Sequence, residues 1–306
     1  MNPPELSVII CTFNPRRDYL GRTLAALRAQ TQPAGTWELI VVDNNSVPPL
    51  DIWLELSGLP RGRIVHEAAQ GFTPALIRGV FEAAAPVCVL VHDDNLLAPD
   101  YLAQVLRISR EWPRLGAWGG QYEPEFEEAP DPALAPFLAY LAIHRVERDR
   151  WSNGLYDYPA TPCGAGMAVR TSILRHYASV SCSDPRRRGL GRHTDRLTSC
   201  EDFDIAFTAV DLGYGTGVFT CLNIRHLIPG SRVQPGYLRR LVEGHGYSSV
   251  LLHSFRGAVH PKGRGLAGRV RRWRYLRGLP PVERDLQAAL KRGEDRAFAA
   301  LSRPPE

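Results

Sequence analysis

Residues 88–102, CVLVHDDNLLAPDYL, indicate which fold this chain adopts. Four apolar residues lead directly into His-Asp-Asp-Asn, and apolar runs of this kind are typical of buried strands in parallel sheets. The Pro-Asp-Tyr-Leu segment that follows is suited to begin a helix. In an open α/β sheet the carboxyl ends of the strands form the ligand crevice, so Asp93 and Asp94 are predicted to lie there. Two adjacent carboxylates suit a divalent cation that carries a diphosphate, and the simpler alternative is a solvated turn.

The composition is that of a globular protein. The chain has 306 residues, 44% of them hydrophobic, so it can form one large α/β domain or a domain with an appendage. Its formal net charge of +5 suits anionic substrates or an anionic membrane surface and does not require nucleic acid. The six cysteines are scattered without a C-x-x-C pair, which predicts reduced cysteines in the core. The sequence has no signal-peptide pattern and no apolar run long enough to span a bilayer, so we expect a cytoplasmic protein.

Other strands are also predicted to end in polar residues. Residues 6–11 and 37–43 are apolar runs that predict strands, and leucines spaced along residues 16–31 predict the helix between them. A short strand at 63–66 and an alanine-rich helix precede the strand at 88–91. Because parallel strands bring their carboxyl ends to one edge, the polar ends are predicted to line one crevice. These residues are Thr12, Asn14, Asp43, Asn44, Asp93 and Asp94. No G-x-G-x-x-G follows the first strand, which disfavours a dinucleotide-binding domain.

Three motifs in this order resemble the nucleotide-binding half of a family 2 glycosyltransferase with the GT-A fold. They are SVIICTFN at residues 7–14, ELIVVDNNS at 38–46 and HDDNLLAPDYL at 92–102. The resemblance continues in PCGAGMAVR at 162–170, which is similar to the family's Gly-rich turn before a short helix. CEDFD at 200–204 is similar to the family's Glu-Asp motif at the start of a helix. The resemblance therefore covers most of the chain.

The resemblance implies an α/β protein with the GT-A fold, in which helices flank a mostly parallel central sheet. It implies a catalytic domain over residues 1–232, with a nucleotide-binding half over about 1–115 and an acceptor half over about 116–232. Residues 233–306 would then form a helical, basic C-terminal extension. Within the acceptor half, Trp118-Gly119-Gly120 is expected to end a strand and to be followed by an acidic, proline-rich loop.

The resemblance also implies roles for individual residues. Asp94 is the expected direct metal ligand, and Asp93 is expected to contact ribose or the metal. Asp202 is the expected general base, and Glu201 is expected to orient the acceptor or the loop. The other expected contacts are Thr12 and Asn14 lining the base pocket, Asp43 and Asn44 holding the base, His226 on the metal or diphosphate, and Arg232 on phosphate. The implied cofactors are Mn²⁺ or Mg²⁺ and a nucleotide-sugar donor, with UDP-sugar as the first expectation and GDP- or dTDP-sugar as alternatives.

The chain departs from the family pattern at two positions. His92 stands at the first position of the usual Asp-x-Asp, and an imidazole can ligate a metal but adds no negative charge. This leaves open which residues hold the cation. Where many family members carry Ala-Arg-Asn in the helix after Gly71, this chain has Ala75-Leu76-Ile77, which leaves the nucleotide base open.

Several of these residues have a structural interpretation beside the functional one. Asp202 begins a helix, where the N-terminal dipole favours any acid. Asp204 is predicted to be an acid on the helix surface, and Trp118 is either a core residue or a face on which a sugar stacks. The segment at 183–198 is predicted to be a mobile loop, either a lid or a plain surface loop. The remaining alternatives are Asp43 as a turn cap, His226 as a structural residue and Arg232 as a solvated cation.

The C-terminal region is basic. A helix is predicted over 235–252 and a short charged helix with a proline-rich tail over 283–306, and residues 244–282 contain no acid. The RVRRWRYLR segment at 269–277 mixes cations with aromatic residues, which suits peripheral contact of residues 256–277 with the anionic inner face of a membrane. A solvated helix is the alternative. No recognised RNA- or DNA-binding module accompanies the segment, so nucleic acid is not an expected partner.

These observations together predict an inverting, metal-dependent glycosyltransferase. It would move a sugar from a nucleotide-sugar to a hydroxyl of a saccharide or lipid-linked acceptor, in polysaccharide or glycoconjugate biosynthesis. A catalytically silent binding or scaffold protein with the same fold is the main alternative. A sugar-nucleotide nucleotidyltransferase is less well supported, because Thr-Phe-Asn-Pro stands after the first strand where that family has a glycine-rich basic loop.

Overall fold

The computed structural model of the protein describes residues 2–193, 196–258 and 266–302. The chain forms two compact units, each built from three segments. The first unit contains Met1–Glu125, Ala142–Gly189 and Glu201–Leu227, and the second contains Phe126–Leu141, Leu190–Cys200 and Ile228–Glu306. The second unit thus takes in two segments that precede residue 232. The domain boundaries expected from the sequence stay a prediction.

The first unit begins with a parallel sheet in the order β3-β2-β1-β4. Its elements are β1 (Leu6–Thr12), α1 (Arg17–Arg28), β2 (Trp37–Asp43), β3 (Arg63–His66), α2 (Phe72–Glu82) and β4 (Val87–Val91). β1, β2 and β4 are almost wholly buried, which explains their continuous apolar sequences. Thr12 pairs with Asp43 in the register of β1 and β2, so the polar ends of these strands lie side by side.

The sheet continues through antiparallel strands, so it is mixed. The elements that follow are β5 (Asn95–Leu97), α3 (Tyr101–Glu111), β6 (Leu115–Phe126), β7 (Arg150–Ser152), β8 (Ala168–Arg170), α4 (Thr171–Ser183), α5 (Pro185–Arg188), α6 (Glu201–Asp211) and β9 (Gly215–Ile228). β8 pairs antiparallel with both β4 and β6, and β9 pairs antiparallel with β5 and β7. In the described residues, the full sheet has nine strands.

Two element boundaries differ from the sequence prediction. β6 does not end at Gly120 but continues to Phe126. The strand can include the polar residues after Gly120 because it is less deeply buried at this end. The Gly-rich turn leads first into the short strand β8 and only then into α4, which is thirteen residues long. Both differences arise from pairing between distant strands, which the local hydrophobic pattern does not report.

The two faces of the sheet each carry a hydrophobic core. Val8 and Ile10 of β1 contribute to one core and Ile9 to the other, as the alternation of side chains along a strand requires. Trp118 is fully buried in the first core. Of its two expected roles, the core one is therefore correct. Leu76 is 1% exposed and packs in the second core, so α2 presents an apolar side chain at this position.

Asp204 is a buried ion-pair partner and not a surface acid, so that prediction is wrong. The α5 residue Arg187 donates through Nη1 to both Asp204 carboxylate oxygens at 3.0 Å, and the Asp204 side chain has no exposed surface. The pair fixes α5, which lies in the segment predicted to be a mobile loop, against α6. Helical periodicity did not reveal this, because an acid on the buried face is tolerated only where a cation from elsewhere meets it. The Thr194 and Asp195 positions of that segment lie outside the described residues.

The α-helices in the described residues of the second unit are α7 (Pro235–Ser254), α8 (Leu266–Arg277) and α9 (Pro281–Leu301). The backbones of α7 and α9 approach closely: a Cβ at Gly293 would lie 1.9 Å from the Glu243 carbonyl oxygen. α9 is longer than the short helix expected from the sequence, and the tail at 303–306 lies outside the described residues. Within the described parts of the chain, no helix is both long and apolar enough to cross a bilayer.

The cysteines are unpaired, as expected, but their side chains differ in how far they are exposed to solvent. Cys88 and Cys200 are buried, whereas Cys182 is exposed and does not belong to the core. Burial raises the pKa of the Cys88 thiol to about 12, and the Thr171 hydroxyl beside it lowers the pKa only in part. The thiol therefore stays neutral and behaves as a small apolar side chain.

Helix α2 packs closely on the sheet at Gly79, where an added Cβ would lie 2.6 Å from Ile9 Cγ2. We expect Gly79→Ala to lower the free energy of unfolding by about 1–2 kcal/mol, because overpacking outweighs the gain in helix propensity. The matched control is Gly21→Ala in α1, where nothing lies within 4 Å of the added Cβ. This variant is expected to raise the free energy of unfolding by about 0.5–1 kcal/mol. Urea titration of both variants measures the difference, and equal stability of the two would contradict the close packing.

Candidate active site

The polar segment after β4 is tied to β1. Thr12 Oγ1 donates a hydrogen bond to Asp93 Oδ2, and Thr23 Oγ1 of α1 donates to the Asp93 carbonyl oxygen at 3.2 Å. Burial and the nearby Asp93 carboxylate both raise the pKa of the Cys11 thiol, so no second negative charge forms beside Asp93. The structure thus brings together Thr12 and Asp93, which the sequence predicted to share one crevice.

Asp94 faces His226. Their Oδ2 and Nε2 atoms are 3.5 Å apart, and both side chains are less than a tenth exposed. The contact follows from the pairing of β5 with β9, in which Asn95 lies opposite His226 and Leu227 donates its backbone N–H to the Asp94 carbonyl oxygen at 2.9 Å. Asn95 is fully buried and donates through Nδ2 to Asp94 Oδ1 at 3.1 Å. This bond orients the carboxylate so that Oδ2 points at the imidazole.

The Asp94–His226 pair fits a divalent cation. The His226 Nδ1 atom is buried and has no hydrogen-bond partner among the described residues. A carboxylate oxygen and an imidazole nitrogen are suitable ligands for a cation such as Mn²⁺, and adjacent ligands of an octahedral ion lie roughly 3 Å apart. The described residues contain no group of three or more His, Cys, Asp or Glu side chains placed to hold a metal. The pair would therefore need oxygen ligands from a substrate to complete the coordination shell.

The carboxylate of Asp43 holds the turn after β2. Its Oδ1 atom accepts the Ser46 backbone N–H and its Oδ2 atom accepts the Leu50 backbone N–H, both at 2.9 Å. Asn14 braces the same turn, since its Oδ1 accepts the Val47 backbone N–H at 2.8 Å. Asn14 has a φ of 46°, in the left-handed region that asparagine tolerates better than most residues. Asp43 thus has the turn-capping geometry that the sequence left as an alternative.

Asn44 fixes the loop that precedes α2. Its Nδ2 donates to the carbonyl oxygens of Glu67 and Ala69 at 2.9 and 2.8 Å, and its Oδ1 accepts the Gly71 backbone N–H at 2.7 Å. The side chain is almost fully buried. Asp43 and Asn44 therefore shape the edge of the crevice by positioning the two loops that border it.

Asp202 contacts the Gly-rich turn. The Gly164 backbone N–H donates to Asp202 Oδ2 at 2.9 Å, and the Phe203 backbone N–H donates to Oδ1 at 2.8 Å. A Cβ at position 164 would lie 3.2 Å from the Asp202 Cβ, which is a tight contact. Asp202 and Glu201 are the first residues of α6 and both are half-buried. The carboxylate of Asp202 is thus held by two backbone donors.

Tyr122 and Tyr101 clamp the Gly-rich turn through hydrogen bonds from their hydroxyl groups to its carbonyl oxygens. Tyr122 Oη donates to the carbonyl oxygens of Cys163 and Ala165 at 3.1 and 2.7 Å, and Tyr101 Oη donates to the Gly166 carbonyl oxygen at 2.8 Å. Burial raises the pKa of Tyr122 far above its usual value, and the Asp202 carboxylate adds to the shift. The hydroxyl therefore remains a donor.

The Gly-rich turn is also bonded to β4. The Gly166 backbone N–H donates to the Leu90 carbonyl oxygen at 2.6 Å, and the Leu90 N–H donates to the Met167 carbonyl oxygen at 2.8 Å. Gly166 has a φ of 70°, and a Cβ there would lie 2.1 Å from Ile224 Cδ1, so both conformation and space require glycine. These bonds connect the turn that holds Asp202 to the strand that ends before Asp94.

Aromatic rings lie beside Asp202. Tyr158 packs edge-on against Phe203, with ring centroids 5.3 Å apart, and Phe203 stacks over Phe207 at 6.4 Å. Tyr158 is 40% exposed, whereas Phe207 is buried. The local sequence does not indicate this cluster of rings, because they come together from two distant segments. The only sequence signal was the position of Phe203 directly after Asp202.

Two further residues named in the sequence analysis have distinct surroundings. Arg232 lies half-buried in the 3-10 turn Gly230–Val233 of the second unit, and its contact with phosphate stays a prediction. His92 packs its ring edge-on against Phe72 of α2 at 5.5 Å, which gives this imidazole a packing role. Positioning residues that the sequence analysis missed are Asn95, Tyr122 and Gly164. Asn95 was visible as the polar residue next to Asp94, and Gly164 as part of the Gly-rich turn.

Comparison with known proteins identifies the family. The family model for "Glycosyl transferase family 2" matches residues 7–177, more than half of the chain. The chain belongs to glycosyl transferase family 2. As a member of this family it is a transferase enzyme, and the resemblance expected from its motifs is confirmed.

Individual relatives agree with this family. A Bacillus subtilis (strain 168) protein named "Putative glycosyltransferase EpsH" is 27% identical over 130 residues, which are 42% of this chain and 36% of that protein. The match thus spans about a third of the curated relative's length. The S. aureus TarS 1–349 structure with UDP-GlcNAc has a TM-score of 0.53 at 13% identity, covering 96% of this chain and 89% of TarS.

A second solved structure has a similar fold. The mannosyltransferase PcManGT from Pyrobaculum calidifontis, in complex with GDP-Man and Mn²⁺, has a TM-score of 0.52 at 17% identity and covers 97% of this chain and 88% of its own. At such low identity these structures establish the fold alone. The α/β GT-A fold with a helical C-terminal region is therefore confirmed.

The clamp by Tyr122 is testable through stability. We expect Tyr122→Phe to lower the free energy of unfolding by about 1–3 kcal/mol, because two buried carbonyl oxygens lose their donor. The matched control is Tyr275→Phe, which removes a hydroxyl from a ring that is 54% exposed and should change stability by less than about 0.5 kcal/mol. Chemical denaturation of both variants is the measurement, and an unchanged midpoint for Tyr122→Phe would contradict the clamp.

Proposed function

We propose that this family 2 glycosyltransferase moves a sugar from a nucleotide-sugar to an acceptor hydroxyl with inversion at the anomeric carbon. The acceptor oxygen attacks the anomeric carbon and its proton passes to the Asp202 carboxylate. The bond between the anomeric carbon and the diphosphate oxygen breaks, and the electron pair leaves with the nucleoside diphosphate. The observation that carries the proposal is the connection from Asp202 through Gly164 and Gly166 to β4, which ends before Asp94.

Asp202 is the residue that we propose as the general base. Both of its carboxylate oxygens accept backbone N–H bonds, which hold the direction of the carboxylate. Glu201, its neighbour in the first turn of α6, would orient the acceptor or the adjoining loop. The partly exposed ring of Tyr158 offers a face for an acceptor sugar, since pyranose rings stack on aromatic side chains through their C–H edges. The acceptor class would be a saccharide or a lipid-linked hydroxyl.

The donor would bind along the edge made by β1, β2 and β4. Thr12 and Asn14 would line the base pocket and Asp43 and Asn44 would border it, with Asp93 contacting ribose. TarS binds UDP-GlcNAc and PcManGT binds GDP-Man with Mn²⁺, so both uridine and guanosine donors occur among proteins of this fold. UDP-sugar is our first proposal, and GDP- and dTDP-sugars are the alternatives. Arg232 is proposed as a phosphate contact.

The residues that would hold a divalent cation are Asp94 and His226. Bound there as Mn²⁺ or Mg²⁺, the cation would neutralise charge that develops on the departing diphosphate. The buried Asp94 carboxylate and the buried His226 imidazole, 3.5 Å apart, support this assignment. Asn95 would act as a positioning residue, because its amide directs the Asp94 carboxylate.

The proposed setting is the assembly of a polysaccharide or glycoconjugate in the cytoplasm. The proposal is tested first by measuring nucleotide release from UDP-, GDP- and dTDP-sugars with Mn²⁺, with Mg²⁺ and with EDTA. Metal-dependent release from one donor would support it and identify the donor. If no donor is consumed and calorimetry detects no metal-dependent nucleotide binding, the silent scaffold becomes the better explanation.

The base is tested with Asp202→Asn. Loss of the proton acceptor is expected to lower kcat for transfer by about 10²–10⁴-fold, because general-base catalysis contributes on that scale. The KM for the donor should change little. The matched control is Glu283→Gln, which removes an acid from the first turn of α9 and should leave kcat unchanged. Retention of full transfer activity by Asp202→Asn would rule out this base.

The cation site is tested with Asp94→Asn and His226→Gln. Each variant is expected to weaken Mn²⁺-dependent nucleotide binding by roughly tenfold or more, since each removes one of two protein ligands. Isothermal titration of Mn²⁺ together with UDP or GDP measures the effect without turnover. The control is Glu111→Gln, a half-exposed acid in α3. Unaltered metal affinity in both site variants would place the cation elsewhere.

A further inference from the structure

Helix α8 presents a surface of arginines and apolar side chains. The twelve residues Leu266–Arg277 include five arginines and no acid, and no acid occurs anywhere in residues 244–282. Val270, Trp273 and Tyr275 are 45%, 56% and 54% exposed. Helix α8 therefore presents exposed apolar side chains together with cations and without an acid.

The buried face of α8 is already occupied by α9. Arg272 and Leu276 are half-buried, one helical turn apart. The Arg272 Nη2 donates to the Gln287 carbonyl oxygen at 2.6 Å, and Arg284 of α9 donates to the carbonyl oxygens of Leu276 and Leu279 at 3.1 and 3.0 Å. These contacts fix which side of α8 points outward.

The outward face combines apolar and cationic side chains. At 100° per residue, Val270, Trp273, Arg274 and Arg277 fall on the side opposite Arg272. The Arg277 guanidinium lies 4.5 Å above the Trp273 ring, so the cation and the aromatic ring form one surface. We call these four residues the α8 outer face.

No acid among the described residues neutralises the charge on this face. Among the described residues, Arg271, Arg274 and Arg277 form no ion pair. By contrast, Glu243 of α7 pairs with Arg296 of α9 at 2.8 Å, so cations elsewhere in the second unit do have acidic partners. The complementary partner of the α8 outer face must therefore be anionic and must accept apolar side chains.

We propose that the α8 outer face docks on an anionic phospholipid bilayer. Tryptophan and arginine are suited to the headgroup region, where the indole inserts its apolar body and the guanidinium pairs with phosphate. The exposed aliphatic side chain of Val270 favours lipid over a nucleic acid, because bases stack on aromatic rings and phosphates pair with cations, and neither uses valine. Residues 259–265, part of the stretch that the sequence predicted to contact a membrane, lie outside the described residues and are not needed for this proposal.

Vesicle co-sedimentation of the full chain tests the proposal without donor or acceptor, so its outcome is independent of sugar transfer. We expect binding to phosphatidylcholine–phosphatidylglycerol vesicles that weakens as salt rises, and little binding to pure phosphatidylcholine. Arg274→Gln with Arg277→Gln should lower the partition coefficient about 25-fold, since each cation contributes about fivefold at an anionic surface. Trp273→Ala should lower it about tenfold.

Matched variants on another exposed part of the chain provide the control. Trp151→Ala removes a tryptophan that is 59% exposed, and Arg145→Gln with Arg148→Gln removes two exposed cations. These variants should bind vesicles like the wild type. Equal losses in the α8 and control variants would overturn the proposal. So would absence of vesicle binding together with α8-dependent binding to a labelled oligonucleotide, which would identify nucleic acid as the partner. Far-UV circular dichroism confirms that each variant is folded.

Discussion

Two backbone hydrogen bonds between Leu90 of β4 and residues 166 and 167 unite the two halves of the candidate active site. β4 ends before His-Asp-Asp-Asn, and the turn at 162–167 positions Asp202 through the Gly164 N–H. The bonds form because a glycine with a left-handed backbone reverses the chain directly beside the strand. A side chain there would collide with Ile224. The position of Asp202 relative to β4 thus depends on backbone hydrogen bonds, whose geometry varies less than that of contacts between side chains.

Most polar side chains of the crevice are engaged with the protein itself. Asp43 caps a turn, Asn44 holds the loop before α2, and Asn95 holds Asp94. Burial forces this arrangement, because a polar atom removed from water needs a partner. The same hydrogen bonds position the loops that border this edge of the sheet. Asp94 and His226 differ, since they face each other across 3.5 Å with the imidazole Nδ1 left unbonded in the described residues. This pair is the one that we propose as the cation site.

At both positions where the chain departs from the family pattern, a side chain that packs against its neighbours stands in place of a charged one. His92 lies edge-on against Phe72, and a third carboxylate beside Asp93 and Asp94 would add repulsion in a half-buried place. Leu76 is part of the core between α2 and the sheet. The first unit therefore has fewer charges near the edge that we propose for the nucleotide. In α8 of the second unit, Arg271, Arg274 and Arg277 have no acidic partner among the described residues.

The sequence alone determined the family, the GT-A fold and the four parallel strands with their polar ends, because apolar runs and motif order are local properties of the chain. It also predicted α7, which begins at Pro235 as expected. Only the tertiary structure decided which polar residues meet. The contact of Asp94 with His226 depends on β5 pairing with β9, and the burial of Asp204 depends on Arg187 seventeen residues away. Such contacts join segments whose separation along the chain carries no period, so no local pattern reports them. Burial is likewise a property of the packed fold, which is why Trp118 remained ambiguous in the sequence and is core in the structure.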